Sequence, residues 1–150
     1  MAPEDTTSHK NSTRGEFFVV INPGSGEHDL SETHGLLERV FGEAGQPFSF
    51  VHIADPAELE SESVAAAARA LACDGALVAV GGDGTINAVA RAAWEKGCKM
   101  GALPQGTFNY FGRANGISQD LETAARALLR AQEGAAQAGL INGRLFLVNA

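Results

Sequence analysis

Gly81-Gly82-Asp83-Gly84-Thr85, delivered by the apolar run Ala76-Leu77-Val78-Ala79-Val80, is the stretch whose reading decides the fold. A run of small and β-branched residues that breaks into glycines reads as a strand entering a turn. Glycine has no Cβ, so the amide N–H groups of such a turn can come close to an anion. Thr85 then reads as the opening of a helix, whose N-terminus favours negative charge. Asp83 would repel a bare phosphate, so its presence implies either a cation between the two or a proton to be accepted. The turn reads as a phosphate-handling element, and both roles of Asp83 point to nucleotide chemistry. A merely structural βα turn needs fewer glycines around an acid.

Outward from this turn the same strand-then-helix rhythm recurs. Glu16 to Asn22 reads as a first strand, stopped by Pro23-Gly24-Ser25-Gly26. From Ser31 to Ala44, Leu36, Leu37, Val40, Phe41 and Ala44 repeat at helical spacing before Gly45. Phe48 to Ile53 reads as a second strand. Asp55-Pro56-Ala57-Glu58 then offers an N-cap, a proline at the first helical position and a returning carboxylate for a helix to about Ala72. Its alanine-rich centre, Val64 to Leu71, would let it lie close to a sheet. Beyond the glycine turn a helix over Thr85 to Lys96 ends at Gly97, and Lys99 to Leu103 reads as a fourth strand. A loop over Pro104 to Gly116 leads to a helix from Asp120 to about Gln132, and Ala138 to Ile141 and Arg144 to Asn149 flank the hairpin turn Asn142-Gly143. Alternating strands and helices imply an α/β fold: a three-layer, open, mostly parallel sheet with helices on both faces, ending in a C-terminal β-hairpin. The order of the strands is not readable from this pattern.

Bulk properties narrow the class of function. A chain of 150 residues, 45% hydrophobic, suits one domain with a real core. With 11 Lys and Arg against 18 Asp and Glu the net charge is −7, which disfavours a nucleic-acid face and any membrane contact through a basic patch. No stretch is apolar for the roughly 20 residues a bilayer requires, and no secretory signal opens the chain, so a cytoplasmic location is expected. Cys73 and Cys98 lack metal-ligand spacing and read as reduced thiols at core edges; His9, His28, His34 and His52 are scattered and read as incidental. Residues 1–15 are polar and aperiodic and are expected to form a disordered leader ahead of a nucleotide-binding α/β domain over residues 16–150.

Three unusual loops follow three of the strands: Asn22 to Gly26, Gly81 to Thr85, and Pro104-Gln105-Gly106-Thr107-Phe108-Asn109-Tyr110-Phe111. In an open parallel sheet they share the carboxyl edge, where such sheets bind ligands. The chain has no Gly-Lys pair and so no Walker A loop, and Asp29 stands where a dinucleotide fingerprint would carry its third glycine. A dehydrogenase is disfavoured.

With these residues assembled, the chain resembles the diacylglycerol kinase catalytic-domain family, which includes bacterial lipid kinases and sphingosine and ceramide kinases. The resemblance rests on Asn22 to Gly26, on Gly81-Gly82-Asp83-Gly84-Thr85-Ile86-Asn87, on Pro104 to Arg113 and on Asn142-Gly143-Arg144-Leu145-Phe146. It implies ATP-dependent phosphorylation of a lipid hydroxyl with Mg²⁺, through nucleotide contacts at Asn22, Gly24, Ser25, Gly26, Gly81, Gly82, Asp83, Gly84, Thr85, Asn87, Gly106, Thr107 and Asn109. Asp83 inherits the candidacy of catalytic acid, and no dedicated metal ligands are assigned. Three departures stand out: Ala88 where the family usually has Glu, Ala54 near a position that commonly carries Thr, and Tyr110 in place of an acid. The resemblance also implies a second, β-rich domain that this stretch does not contain, so the chain alone is expected to be weakly active or inactive. The exposed edge of its hairpin is expected to favour pairing with a second copy. Two other readings compete: a non-catalytic nucleotide-binding or regulatory module, and a kinase of a soluble substrate such as NAD.

Overall fold

The computed structural model describes residues 15–22, 30–105, 113–114, 116–118, 120–130, 139–141 and 144–146. Four strands, β1 (Phe17–Ile21), β2 (Phe48–Val51), β3 (Ala76–Gly81) and β4 (Lys99–Pro104), form one parallel sheet in the order β2-β1-β3-β4. Among the described residues they are accompanied by the helices α1 (Leu30–Glu43), α2 (Leu59–Ala72), α3 (Asp83–Lys96) and α4 (Leu121–Arg130). Two short strands, β5 (Gly139–Ile141) and β6 (Arg144–Phe146), pair antiparallel, and the backbone of β6 runs beside α3. The expected Asn142-Gly143 turn lies outside the described residues, as do positions 1–14 of the expected leader.

Burial shows why the central strands are apolar without alternation. Phe18, Val20, Leu77, Ala79 and Ala102 turn to one face, where they meet Ala66, Ala67 and Ala70 of α2 and Ile86, Val89, Ala92 and Ala93 of α3. Val19, Ile21, Val78, Val80 and Leu103 turn to the other, against Leu37, Val40 and Phe41 of α1 and Ala124 and Ala125 of α4. A strand covered on both faces must be apolar at every position. Burying a side chain the size of Leu37 or Phe41, both fully buried, stabilises the fold by about 1.5–3 kcal/mol each. Ala66, Ala67 and Ala70 of α2 are fully buried, and their small volume lets this helix approach α3 and the sheet closely.

Local chemistry sets the ends of the helices. The Asp55 carboxylate accepts from the Ala57 N–H at 3.0 Å, as an N-cap should, but it caps a single 3₁₀ turn over Pro56–Glu58 that then passes into α2. Gly97 ends α3 in the left-handed region at φ 76°, where its N–H reaches back to the Ala93 and Trp94 carbonyls. Asp120 caps α4, accepting from the Thr123 N–H at 2.9 Å and its hydroxyl at 2.6 Å. Glu122 pairs with Arg126 of its own helix at 2.9 Å and joins α4 to α1 through Arg39 at 3.2 Å.

The Thr123 hydrogen bonds hold the Asp120 carboxyl below its ordinary range, and the bonds from Arg126 and Arg39 do the same for Glu122. Both groups bind a proton less readily when folded. The stability they contribute is therefore complete above the ordinary carboxylate range and is lost as pH falls through their lowered folded values. The double variant Asp120→Ala, Glu122→Gln is expected to show a flatter fall of Tm on acidification than the parent. Parallel acid slopes in the two proteins would count against these two carboxylates.

Both cysteines are free thiols: Cys73 is exposed and Cys98 half-buried, with burial pushing the Cys98 thiol up. His34 stacks on Phe50 of β2 at 4.2 Å between ring centroids, a packing role.

Candidate functional site

Strand register assembles the site. Ile21 lies opposite Val80 at the end of the β1–β3 ladder, so Asn22 leaves β1 beside Gly81. On the other flank Gly81 lies opposite Pro104, and the Gln105 N–H donates to the Gly81 carbonyl at 2.7 Å. Three strand ends, each carrying one of the sequence motifs, thus meet around Gly81. The same place is the topological switch point, because the chain goes from β1 outward to β2 on one side and onward to β3 on the other. Open α/β sheets take their ligands in the crevice outside such a point.

Gly81 has φ 154°, in a region essentially confined to glycine. Gly82 follows in extended backbone and serves as the N-cap of α3 without a side chain to cap it. The first helical hydrogen bond runs from the Ile86 N–H to the Gly82 carbonyl at 3.0 Å. Helix geometry leaves the Gly84 and Thr85 N–H groups no intrahelical acceptor, and they are the donors that an anion at this terminus would take. A Cβ placed on Gly84 would meet no atom of the described residues within 4 Å. Glycine inside a helix costs about 1 kcal/mol relative to alanine, so packing within the chain gives no reason for it there. Open space over the first turn is what an approaching ligand requires.

The helix begins earlier than the sequence reading has it, at Asp83 rather than at Thr85. Gly82 in extended backbone launches the helix directly, so Asp83 is its first residue and its carboxylate is favoured by the helix dipole. Asp83 and Asn87 are half-buried and Thr85 is buried. Asn22, Asp83 and Asn87 are each engaged with other groups of the protein. The structure therefore brings together Asn22, Gly81, Gly82, Asp83, Gly84, Thr85 and Asn87, while Gly24, Ser25, Gly26, Gly106, Thr107 and Asn109 lie outside the described residues. Gln105 is the position the motif reading passes over. Its one signal in the sequence is its place between Pro104 and Gly106.

Among the described residues no three His, Cys, Asp or Glu side chains gather as a metal-binding set. The glycine turn offers one carboxylate, Asp83. That donor set fits a cation carried by phosphates and touched by one carboxylate, the usual manner of Mg²⁺ in phosphoryl-transfer sites, and does not fit a cation held by protein alone. No helix among the described residues is long and apolar enough to cross a membrane.

Fold and site together define an open parallel α/β domain with a glycine-rich turn at its switch point. The chain belongs to the diacylglycerol kinase catalytic domain family, whose pattern it matches over residues 16–141. It is 33% identical over 149 residues to the probable lipid kinase YegS-like of Klebsiella pneumoniae (strain 342), a match covering 92% of this chain and 45% of that protein. Over 73 residues it is 38% identical to a diacylglycerol kinase of Staphylococcus aureus (strain JH9), covering 47% of this chain and 23% of the relative. The crystal structure of a diacylglycerol kinase from Bacillus anthracis str. Sterne shares the fold, with a TM-score of 0.76 at 21% identity over 89% of this chain and 46% of that one. The chain thus spans less than half the length of these relatives.

Proposed function

We propose that this chain binds ATP at the carboxyl edge of its sheet and supplies the nucleotide-handling part of a kinase that phosphorylates a lipid hydroxyl, diacylglycerol being the type substrate. The observation that carries this reading is the meeting of three motif-bearing strand ends around Gly81. In this reading the phosphate chain rests on the amides that open α3, and Asn22, Gly24, Ser25, Gly26, Gly106, Thr107 and Asn109 are the further nucleotide contacts. Phosphoryl transfer asks the protein chiefly for positioning and neutralisation of charge, which backbone amides and a helix N-terminus can supply. Mg²⁺, when bound with the nucleotide, would be held at Asp83 and would neutralise phosphate charge. Asp83 is the catalytic carboxylate of the proposal.

The test is direct. The full gene product, incubated with labelled ATP, Mg²⁺ and diacylglycerol in mixed micelles, is expected to yield labelled phospholipid. A protein that binds ATP yet labels no glycerolipid or sphingoid substrate would overturn the kinase reading. Asp83→Asn is expected to bind ATP within about threefold of the parent and to lower transfer about 100-fold or more. Turnover at the parental rate in that variant would remove Asp83 from catalysis.

One observation favours a second reading, a nucleotide-binding module without catalysis. Ala88 stands where family motifs usually carry glutamate, and it is buried, at 4% exposed. Tight ATP binding by calorimetry with no transfer to any lipid is the result this reading expects.

A further inference from the structure

Two adjacent glycines make the Gly81-Gly82 peptide the least constrained in the crevice. Neither flanking residue has a Cβ, so the peptide plane is free to turn at little steric cost. A hydrogen bond from the neighbouring strand decides its orientation: the Gln105 N–H donates to the Gly81 carbonyl at 2.7 Å, closing the β3–β4 ladder where Gly81 lies opposite Pro104. The donor is rigidly mounted. Gln105 follows Pro104, whose side chain is fully buried and whose ring fixes φ. Alternation along β4 continues the Leu103 face to Gln105, so its side chain goes with Leu103 to the side of α1 and α4, and its main chain is what meets the glycine turn.

The consequence lies on the other side of that peptide. In a trans peptide the C=O and N–H point in opposite directions, and the Gly81-Gly82 bond is trans. With its carbonyl held toward β4, the Gly82 N–H is turned to the opposite flank of β3, where β1 lies and the switch point opens the crevice. Gly82 is also the N-cap of α3, so this N–H stands just ahead of the Gly84 and Thr85 amides at the same helix terminus. Asn22, Gly81 to Asn87, Pro104 and Gln105 include no lysine or arginine, so among these residues a polyanion is met by neutral donors, and their aim matters. We propose that the Gln105 main-chain N–H is a positioning group for nucleotide binding: by holding the Gly81 carbonyl it keeps the Gly82 N–H directed at the phosphate chain of ATP. This assignment rests on the nucleotide reading above. It makes the exit of β4 part of the phosphate cradle without the Gln105 side chain touching the ligand.

Replacing Gln105 with its α-hydroxy analogue by nonsense suppression turns the amide N–H into an ester oxygen and leaves the side chain in place. Calorimetry with the full chain and Mg²⁺ then uses two ligands: ATP, and inorganic tripolyphosphate, which has the phosphates without the base. The ester variant is expected to raise the Kd of both about tenfold while keeping the circular dichroism spectrum of the parent. Gln105→Ala keeps the N–H and is expected to bind both ligands as the parent does. In the parent the Gly82 amide resonance is expected to move when tripolyphosphate is added, a signal that a role confined to sheet stability would leave unchanged. A Gly82 resonance that stays in place, or parental affinity in a folded ester variant, overturns the assignment and leaves the nucleotide reading standing. Equal weakening in Gln105→Ala moves the effect to the side chain and overturns it as well. A parent protein that binds neither ligand overturns both the assignment and the reading beneath it.

Discussion

Gly82→Val is expected to abolish ATP binding, raising Kd more than about 100-fold, while the ligand-free protein keeps its fold. Two observations separate these effects. Gly82 has φ −82° and ψ −174°, an extended backbone that any residue adopts, so valine brings no conformational strain. Gly82 is also the N-cap of α3, where glycine contributes no side-chain hydrogen bond that valine would take away. A branched Cβ at this point stands where a phosphate must approach the amides that open the helix, and loss of a charged hydrogen-bonded site on that scale is worth about 3 kcal/mol or more. Calorimetry gives the affinity, and circular dichroism with a melting curve gives the fold. Retained ATP affinity in a folded Gly82→Val protein would remove the glycine turn as the phosphate site.

Gly75→Ala is expected to destabilise the chain by about 3 kcal/mol, a fall in Tm of roughly 6–12 °C for a domain of this size. Its Cβ would land on the Glu16 carbonyl oxygen, 3.0 Å from the Glu16 nitrogen and 3.1 Å from the Cys73 sulfur. Two of these three neighbours are backbone and cannot swing aside. The Ala76 N–H donates to the same Glu16 carbonyl at 3.1 Å, and the Gly75 N–H donates to the Ala70 carbonyl at 2.7 Å. The chain passes from α2 into β3 through a gap closed on both sides by hydrogen-bonded main chain. Gly15 meets the same limit from the β1 side, since a Cβ there would fall on the Asp74 backbone. The loss should be one of stability, because Gly75 lies at the opposite end of β3 from Gly81. An unchanged Tm would show that β1 and β3 can part at this end without cost.

Much of the fold is legible in the sequence because its punctuation is local. Phe17 to Ile21 and Ala76 to Val80 are apolar at every position and bounded by turn residues, which marks strands covered on both faces. Gly97 after Lys96 marks a helix end for a reason internal to the residue, its access to positive φ. The order β2-β1-β3-β4 is not legible, because it depends on where each crossover returns and no local residue encodes that. The start of α3 at Asp83 is missed for a related reason: an N-cap without a side chain leaves no signal, whereas Thr85 offers a misleading one. The Asp55 cap is correctly read as a cap, but its first turn closes in the tighter i to i+3 manner. Gly75 carries no local signal in the sequence, since its constraint comes from Glu16, which is distant along the chain.

For the site, residue types and their order along the chain carry most of the information. Gly81 to Asn87 announces an anion cradle by composition, and the register then places Asn22 and Gln105 at its two sides. What composition does not convey is which polar side chains the protein uses up internally. Asn22 and Asn87 look like free donors in the sequence and are engaged in the fold.

The sheet also acts as a partition. Among the described residues no buried core residue belongs to both apolar clusters, although the partly buried Ile117 packs against both, so the layer of α1 and α4 and the layer of α2 and α3 share few packing partners. Mutational damage in one layer should combine additively with damage in the other. Sequence drift beneath α1 and α4 can then accumulate without retuning the seat of α3, which leaves one side of the molecule free to diversify while the other keeps its helix terminus in place.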